Sequence, residues 1–418
     1  GSRLMAKVIT TELQHSGASS ANITLDSSKN VTCENNLTVD GNISVAGTGL
    51  TDTKSFRNLL YNGETNICQR ATSKTSITGS NDGYVVGDRW KYTLTDAGTW
   101  SVERVEDAPE GFIYSQKLKC TSAATFGANG RVYIEQLLES QDQQHYKYGT
   151  SNAVSLTLSF WIKSSRTGTF NAGFVNQGAR SGSPSGTEIA DRATSQLVTI
   201  SSANTWEKKT VTFSGDTGAY IRNSHHKGVG LRLTFNAGSN YTGGTAQSWG
   251  SNTSANTYTG TLGLGTATND DLFITGVQLE IGTSATDFEY RSYGEEFLRC
   301  ARYCWVVEND TSVESTAFPN GVVFIRSAST ARWIPAFPIQ MRAAPSVTGT
   351  GVFRVYDGGE VNTFTIGSSG TLTGENISKW SSIISLSDGT GNDFTLGRAG
   401  QLYGNGTDAA QVVFDAEL

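Results

Sequence analysis

The sequence is poor in charged residues and contains no long apolar run. Asp, Glu, Lys and Arg together make up 17% of the 418 residues, and the formal net charge is -6. Lysine and arginine form no cluster, so nucleic acid is not an expected partner, because neutralising phosphates requires clustered cations. No apolar segment approaches the roughly 20 residues that a membrane-spanning helix needs, so membrane insertion is not expected.

Cysteine is also scarce. The five cysteines, Cys33, Cys68, Cys120, Cys300 and Cys304, are odd in number and widely scattered. This argues against a disulfide framework and for synthesis in a reducing cytoplasm. Glycine is abundant instead, with 47 residues beside much Ser, Thr and Asn. That composition favours many short strands joined by turns, so we expect a mainly β protein.

A short repeat, "NITLDSSKNVTCENNLTVDGNISV", occupies residues 22–45. Its four units begin at Asn22, Asn30, Asn36 and Asn42, and each reads Asn, apolar, hydroxyl, apolar. The alternation predicts short strands, and the fixed short period predicts stacked rungs. Two apolar side chains per rung cannot offset the entropy of ordering it, so the apolar faces need partners. We expect three chains to close this core as an obligate homotrimer; a flexible leader with chance alternation is the alternative.

Strand signals dominate from residue 58 to about residue 289. Segments such as "VSLTLSFWIKS", "KTVTFSG", "GVGLRLTFNAG" and "DLFITGVQLEIG" alternate apolar and polar residues, and Gly, Asn and Asp clusters separate them. This pattern predicts an antiparallel β-sandwich of jelly-roll type. The predicted core positions are Val154, Leu156, Leu158, Phe160, Ile162, Val211, Phe213, Val229, Leu231, Leu233, Phe235, Leu272, Ile274, Val277, Leu279 and Ile281.

Long polar loops lie between these strands. One of them, residues 236–265, carries Tyr241, Trp249 and Tyr258 among small polar residues. Proteins bind sugars by stacking them on aromatic rings and by hydrogen bonds from amide, carboxylate and hydroxyl groups. We therefore expect these three aromatic residues to bind a glycan. The alternative is that the rings pin the loop to the sandwich.

A short helix with two cysteines is predicted after the sandwich, over residues 293–305. Ser292 and Glu295 have the spacing of a capping box at its start. Phe297, Cys300 and Cys304 fall on one helical stripe, which predicts that they pack at a structural junction. A zinc site is the alternative for the cysteines, but zinc requires four ligands and no histidine or second cysteine pair lies nearby in sequence.

The remaining residues, 306–418, are predicted to form a second, smaller β domain. Four of the six prolines lie between Pro319 and Pro345, which marks a break in composition. Short alternating runs with Gly and Asp turns follow. Tyr356, Trp380 and Tyr403 are the notable aromatic residues, and we expect Tyr356 and Trp380 to be further candidates for glycan contact.

Several segments together resemble the carbohydrate-binding-type jelly roll of bacteriophage tail-fibre receptor-binding proteins. They are "NLLYNGETNICQR" (58–70), "VVGDRWKY" (85–92), "SLTLSFWIKSS" (155–165), "WEKKTVTFSGDTG" (206–218) and "VQLEIGTSATDFEYRSYGEEFLRCARY" (277–303), of which the last is the most specific. The resemblance covers roughly residues 56–345. It implies a trimeric, distal, receptor-binding part of a tail fibre in the virion.

The resemblance also implies partners and bears on cofactors. The implied partners are a host surface polysaccharide or lipopolysaccharide and, through the N-terminal segment, other phage tail or baseplate proteins. Related modules often carry "DDV" in their last strand, with an Asp that helps to hold a structural calcium. Here Thr275, Gly276 and Val277 stand at those positions, and Asp270 and Asp271 precede the strand. We therefore expect no calcium site, no other metal and no cofactor.

These observations predict four segments and one function. The segments are a trimeric repeat for attachment (1–55), a jelly roll (56–292), a junction helix (293–305) and a C-terminal β tip domain (306–418). We interpret the chain as a homotrimeric adhesin that recognises a host cell-surface glycan and gains avidity from three sites on one axis.

Two other functions remain as alternatives: a structural fibre segment without a receptor site, and a polysaccharide-cleaving depolymerase or esterase. The repeat is far too short for the long parallel β-helix on which phage enzymes usually cut polysaccharides. Patterns for a serine nucleophile elbow, a zinc protease and a phosphate-binding loop are absent from the sequence. We therefore expect no enzyme and assign no catalytic residue.

The repeat makes a prediction about mass in solution. We expect light scattering to give three times the mass of one chain, because the apolar faces of the rungs need partners. A monomeric mass would contradict the interpretation of residues 22–45 as a trimeric stalk.

Overall fold

The structure is a computed structural model. It describes residues 57–418 except 247, 254–257, 259, 310–316, 359–360, 388–393 and 405–409, and three short strands before residue 57. The chain divides into two compact units, Gly1–Lys54 and Ser55–Leu418. Within the described ranges, no helix is both long enough and apolar enough to cross a membrane.

The first unit contains an antiparallel sheet with the strand order β1-β2-β3. Its strands are β1 Glu12–Leu13, β2 Ile23–Leu25 and β3 Val31–Cys33. Strands β2 and β3 are the first two units of the repeat, and Thr24 pairs with Thr32 across them. These two units therefore lie side by side within one chain. The third and fourth units lie outside the described residues, and the homotrimer stays a prediction.

The second unit begins with a long series of strands. In chain order they are β4 Ser73–Ile77, β5 Lys91–Thr95, β6 Thr99–Val105, β7 Ser115–Ser122, β8 Arg131–Gln136, β9 Leu156–Ser164, β10 Gly168–Asn176, β11 Ala179–Arg180, β12 Arg192–Ile200, β13 Glu207–Phe213, β14 Tyr220–Ile221, β15 Val229–Ala237, β16 Gly250–Ser251 and β17 Asp271–Ile281. Two 3-10 helices, Ser140–Tyr146 and Ser239–Tyr241, and helix α1, Tyr293–Ala301, accompany them.

Most of these strands form two six-stranded antiparallel sheets, which confirms the predicted β-sandwich. The first sheet has the order β16-β12-β10-β15-β8-β5, and the second has the order β13-β9-β17-β7-β6-β4. Their inner faces share one hydrophobic core, in which Trp90, Trp100, Phe160 and Phe170 are fully buried. The predicted core positions are buried there, apart from Val154, which is half-buried, and Ile281.

Strand β17 carries a β-bulge that keeps two sets of apolar residues on the core side. The register with β9 shifts between Thr275 and Gln278. Gly276, at a φ of 60°, lies in the shift, and a Cβ there would stand 2.6 Å from the Phe112 ring. Because of the extra residue, the side chains that face the core are Leu272 and Ile274 before the bulge and Val277 and Leu279 after it. Ile281 was predicted to be buried but is 44% exposed, because it is the last residue of the strand.

Helix α1 begins as predicted but ends early. The Ser292 hydroxyl accepts a hydrogen bond from the Glu295 N–H at 3.3 Å. The helix ends at Ala301, and Cys304 lies in the next strand, so the predicted helical stripe through Cys304 is wrong. The reason is a long-range contact. Cys304 pairs with Asp415 of a strand far along the chain, so its backbone joins a β-sheet instead of forming another helical turn. Cys300 and Cys304 are both buried, and burial raises the pKa of both thiols.

The residues after the helix form two further antiparallel sheets. Their strands are β18 Cys304–Glu308, β19 Ala317–Ser327, β20 Thr330–Trp333, β21 Ser346–Thr350, β22 Val352–Tyr356, β23 Val361–Thr365, β24 Thr371–Glu375, β25 Ile383–Ser387, β26 Ala399–Gly404 and β27 Gln411–Asp415. One sheet has the order β18-β27-β21 and the other has the order β23-β22-β26-β19-β20-β25-β24. A separate hydrophobic cluster, with Trp333, Phe353 and Phe414 fully buried, lies within them.

A buried ion pair joins these sheets to the sandwich. Arg89 Nη1 donates to the carboxylate of Glu417, two residues beyond β27, and both side chains are buried. Arg70 Nη1 lies 3.5 Å from the same carboxylate. The Arg89 guanidinium also lies 3.5 Å above the Tyr303 ring and donates to the Leu137 carbonyl. Removing one partner would leave the other charge buried and uncompensated.

Two more arginines cross the same boundary. Arg302 donates to both carboxylate oxygens of Glu139, at 2.6 and 2.8 Å. Arg342 donates to the carbonyl oxygens of Ala416, Glu417 and His225, at 2.7 to 3.0 Å. The boundary between the sandwich and the later sheets is therefore held by directed, charge-assisted hydrogen bonds.

The buried pair makes a prediction about stability. We expect Arg89→Met to lower the free energy of unfolding by about 3–5 kcal/mol, because Glu417 would remain buried without its main partner. The matched control is the double variant Arg89→Met with Glu417→Leu, which removes both charges and should be less destabilised than the single variant. Urea unfolding measures both. A double variant as unstable as the single one would show that packing, not the uncompensated charge, sets the cost.

Glu64, near helix α1, is expected to make the stability of the protein depend on pH. Burial and the neighbouring Glu296 carboxylate raise the pKa of Glu64 from 4.5 to about 7. Glu296 is itself held by the Asn62 N–H and by Arg291 Nη1 at 3.2 Å. Glu64 is therefore more easily protonated in the folded protein than in the unfolded chain.

The raised pKa predicts the direction of a pH effect. Because folding favours protonated Glu64, its stabilising contribution is complete below pH 4.5 and is lost as pH rises to about 7. We expect Glu64→Gln to become progressively more stable than the parent protein across this range, measured as the free energy of unfolding at several pH values. Parallel pH profiles for the two proteins would contradict the shift.

Candidate functional site

The aromatic loop after β15 folds back on the sandwich. The Tyr258 N–H donates to the Tyr241 carbonyl at 2.9 Å, and the Gly244 N–H donates to the Tyr258 carbonyl at 2.8 Å. Arg131 lies 4.7 Å above the Tyr241 ring, and Arg232 Nη1 lies 3.4 Å from the Tyr258 hydroxyl. Tyr258 is only 3% exposed. Its ring therefore packs against the sandwich, as in the alternative in which the rings pin the loop, and glycan contact by Tyr258 stays a prediction.

Beneath this loop, the outer face of the first sheet is filled by a charged network. Arg232 binds the Glu135 carboxylate through Nε at 3.1 Å and Nη2 at 2.7 Å, and Lys91 Nζ lies 3.5 Å from the same group. The Arg232 guanidinium also lies 4.4 Å above the Tyr133 ring. A cavity of only about 10 Å³ remains beside Thr234. Close to Tyr258 this face therefore has no room for a sugar. Farther along, beside β12 and β16, a cavity of about 190 Å³ lies between the sheet and the loop.

Trp249, the third predicted residue of this loop, lies at the rim of the sandwich. Its indole N–H donates to the Ser214 carbonyl at 2.8 Å, and its ring meets Tyr148 edge-on at 5.6 Å. Arg192 Nη2 donates to the Trp249 carbonyl at 3.3 Å and pairs with Asp216 through two hydrogen bonds. These contacts fix Trp249 in place. Tyr148, which it contacts, lines a cleft that opens to solvent.

The cleft has a volume of about 390 Å³ and opens to solvent beside the 3-10 helix Ser140–Tyr146. Its lining comes from the end of that helix, the segment before β9, the connection from β11 to β12, and strand β14. The lining residues are Gln143, Gln144, Lys147, Tyr148, Thr150, Asn152, Pro184, Tyr220 and Ile221. Three separate parts of the sequence, residues 143–152, 184 and 220–221, therefore meet in one concave surface.

Hydrogen bonds to backbone groups hold the cleft walls. Gln143 donates to the Val229 carbonyl at 2.6 Å and accepts from the Val229 N–H at 2.7 Å. Gln144 Nε2 donates to the Ser140 carbonyl at 2.9 Å and to the Arg222 carbonyl at 3.1 Å. Because both glutamines bind backbone, their positions do not depend on a ligand, and the cleft is preformed.

Gly149 is required for one wall. It has a φ of +83°, and a Cβ at this position would lie 2.6 Å from the Tyr220 ring. Its N–H donates to the Asp216 carbonyl at 2.8 Å. Only glycine combines this backbone conformation with such a close ring, so Gly149 lets Tyr220 lie against the segment that carries Tyr148.

The chemistry of the cleft suits a neutral, hydroxyl-rich ligand. The Tyr148 hydroxyl is buried and has no hydrogen-bond partner, and burial raises the pKa of this phenol well above its usual value, so it stays neutral. Tyr148 is only 3% exposed, so it forms the floor of the cleft, and the half-buried Tyr220 supplies the aromatic surface that a ligand can reach. Lys147 and Asn152 add exposed donors at the rim. Among the described lining residues, none is Asp, Glu, His or Cys.

The sequence analysis missed Tyr148 and Tyr220. Both stand beside turn residues, in "YGTSN" and "GAYIRN", which was a usable signal. Of the predicted aromatics, only Trp249 lies next to the cleft, through Tyr148. Tyr356 and Trp380 do not line it; Tyr356 ends β22, and Trp380 lies in the turn before β25. The structure does not test whether any of them binds a glycan.

Potential metal ligands are engaged in other contacts. Asp270 Oδ2 accepts from Arg166 Nε at 2.7 Å and from the N–H groups of Gly265 and Ala267 at 2.9 and 3.0 Å. The rings of His225 and His226 lie 4.4 Å apart, and burial and nearby cations lower the pKa of both. Across the described part of the chain, no three His, Cys, Asp or Glu residues lie close enough to share a metal ion.

The comparisons with known proteins found similarity only to solved structures. No family model and no curated protein matches the sequence. One similar structure is the enzymatically active domain of tailspike protein 4 from bacteriophage CBA120, with 14% identity and a TM-score of 0.27. The match covers 54% of this chain and 21% of that chain, so it spans about a fifth of the tailspike domain.

Two carbohydrate-binding modules are similar over nearly their whole length. The family 11 module of a cellulosomal cellulase from Clostridium thermocellum matches 51% of this chain and 96% of its own, with 10% identity and a TM-score of 0.27. A family 30 module matches 58% of this chain and 97% of its own, with 10% identity and a TM-score of 0.27. All three TM-scores are low, so what the cleft binds has to be inferred from its own residues.

Proposed function

We propose that the protein recognises a host cell-surface glycan through the cleft between Tyr148 and Tyr220. The observation that carries this proposal is a preformed cleft of about 390 Å³ that combines two tyrosines with amide, hydroxyl and ammonium groups. The apolar face of a sugar ring stacks on an aromatic side chain, and its hydroxyl groups bind amides and phenols. Tyr220, which is half-buried, offers the aromatic surface for such stacking.

The proposed activity is binding and not cleavage. Glycoside hydrolysis generally needs two carboxyl groups that flank the bond, one as an acid and one as a base or nucleophile. The described lining of the cleft holds amides, hydroxyls and one ammonium group. A polysaccharide-cleaving enzyme remains the alternative, with its carboxylates elsewhere in the chain.

The biological setting we propose is a homotrimeric phage tail fibre in the virion. The motifs at residues 58–70 and 277–303, which resemble those of tail-fibre receptor-binding proteins, support it, as does the repeat at 22–45. An open cleft binds a glycan weakly on its own, and three copies on one axis raise the overall avidity of the fibre. The repeat attaches the fibre to other tail or baseplate proteins, and residues 306–418 form the tip. A fibre spacer without a receptor site is the remaining alternative.

We also propose that helix α1 and the residues after it act as the joint. Arg302, directly beyond the helix, binds Glu139 of the sandwich and donates to the Gln340 carbonyl at 3.1 Å. Cys300 is buried and Phe297 half-buried on the helix itself. In this role the cysteines pack as small apolar residues.

The test is retention of purified host lipopolysaccharide or capsule on the immobilised protein. We expect Tyr220→Ala to weaken binding by about tenfold, because it removes a stacking surface. Tyr148→Phe should leave binding nearly unchanged, because its hydroxyl is buried and does not reach the ligand. The control is Tyr293→Ala, which removes a ring of the same size that is 65% exposed on helix α1, away from the cleft.

Three other outcomes would each contradict a part of the proposal. Full binding by Tyr220→Ala would exclude the cleft as the glycan site. Shortening of the polysaccharide during incubation, followed by chromatography, would identify an enzyme. Failure of the parent protein to bind any host glycan or host cell would favour the spacer.

A further inference from the structure

Basic side chains gather around the His225–His226 pair, where the sandwich meets the later sheets. Arg342 Nη1, from the segment before β21, donates to the His225 carbonyl at 3.0 Å. The N–H of the preceding residue, Met341, donates to the Lys379 carbonyl at 2.8 Å, which brings the segment before β25 to the same place. Two cationic residues therefore approach the histidines from the later sheets.

Two arginines approach from the sandwich. Arg180, in β11, and Arg222, directly after β14, both contact the Glu188 carboxylate, at 2.6 and 3.6 Å. The Arg222 side chain lies over Gly178, where a Cβ would stand 2.9 Å from its Cδ atom. One carboxylate is thus shared by two guanidinium groups, so it neutralises only one of them. We call Arg180, Arg222, His225, His226, Arg342 and Lys379 the basic cluster.

The charges that the later sheets contribute are not neutralised by ion pairs. Arg342 donates to three backbone carbonyls, which fix the direction of its guanidinium but carry no net charge. Among the described residues, neither Arg342 nor Lys379 forms an ion pair with a carboxylate. The segments that carry the cluster, residues 176–192, 219–230, 336–346 and 375–383, are described throughout.

Nearby carboxylates beyond these segments are engaged by other arginines. Glu139 accepts two hydrogen bonds from Arg302, at 2.6 and 2.8 Å. Glu417 is buried against Arg89. The cluster therefore keeps an excess of positive charge, although the whole chain has a net charge of -6.

The two histidines respond to this excess charge. Burial and the cations of Lys379 and Arg342 lower the pKa of His225, and Glu139 opposes this effect. Burial and the cations of Arg222, Arg342, Arg180 and Lys379 lower the pKa of His226. Both rings are therefore mainly neutral at neutral pH and gain a proton as the pH falls below 6.5. No hydrogen bond engages either ring within the described structure, so the ring N–H groups are available to a ligand.

We propose that the basic cluster binds a phosphate group, either free or carried by a sugar. A phosphate offers up to two negative charges and several strong acceptor oxygens, whereas a carboxylate offers one charge and two oxygens. Arg222 and Arg342 reach the site from opposite sides of the boundary, and guanidinium groups bind phosphate through paired hydrogen bonds. Lys379 adds a third cation. The site does not depend on the glycan binding proposed for the cleft.

The experiment is calorimetric titration of the full-length protein with glucose 6-phosphate and with inorganic phosphate, with glucose as the neutral matched probe. We expect both phosphates to bind at least about tenfold more tightly than glucose at low salt, with the difference shrinking as salt is raised. Tighter binding of glucose 6-phosphate than of inorganic phosphate would support a phosphorylated sugar as the ligand. Equal binding would support a site for the phosphate group alone.

Substitutions locate the binding. Arg222→Gln should weaken phosphate binding by about tenfold, and Lys379→Gln should weaken it several-fold. The control is Lys208→Gln, which removes an exposed lysine from β13 and should not change binding. Urea unfolding checks that each variant is folded. If Arg222→Gln is destabilised, Lys379→Gln decides the test, because Lys379 makes no ion pair among the described residues.

Inorganic sulfate tests the histidines, because its charge stays constant from about pH 8 to about pH 5, where histidine titrates. A bound anion favours the protonated rings, so sulfate affinity should rise several-fold as the pH falls through this range. The double variant His225→Gln with His226→Gln should lose this rise and keep the affinity of the parent protein at the upper end.

Three results would overturn the proposal. The first is binding of both phosphates no tighter than that of glucose. The second is unchanged phosphate binding by both Arg222→Gln and Lys379→Gln. The third is an equal loss in Lys208→Gln, which would show general attraction between anions and surface cations. A sulfate affinity of the parent protein that does not change with pH would remove the histidines from the site.

Discussion

The buried pair of Arg89 and Glu417 is the contact on which the arrangement of the second unit depends. A buried charge is tolerated only when it is paired, so Arg89 in the sandwich requires a carboxylate that comes from 328 residues later in the chain. Glu417 can reach it only when strand β27 is in place, and β27 is the central strand between β18 and β21. One ion pair therefore couples the sandwich to the last strand, and the position of that strand determines where helix α1 must stop.

Further contacts strengthen this coupling between the sandwich and the later sheets. Arg302 and Arg342 add directed hydrogen bonds across the same boundary: Arg302 donates to the Glu139 carboxylate, and Arg342 donates to the His225 carbonyl. Such contacts limit relative motion of the sandwich and the later sheets.

The proposed binding site lies where loops meet the edge of a sheet. On the outer face of the first sheet, Tyr258 and the Arg232–Glu135 pair fill the region around Thr234. The open surface lies instead at the rim, where the 3-10 helix Ser140–Tyr146 and strand β14 meet. Loops and edges vary without disturbing a core, which supports placing the proposed binding site there.

Local patterns in the sequence determined the strands and the start of the helix. Period-two alternation placed the core residues of β9, β13 and β15 correctly, and Ser292 marked the first turn of α1, because these features depend on neighbouring residues. Tertiary structure alone decided that Tyr258 is buried, that Cys304 joins a strand, and that Tyr148 meets Tyr220. Each of these outcomes depends on contacts between residues far apart in the chain, and local spacing carries no information about such contacts.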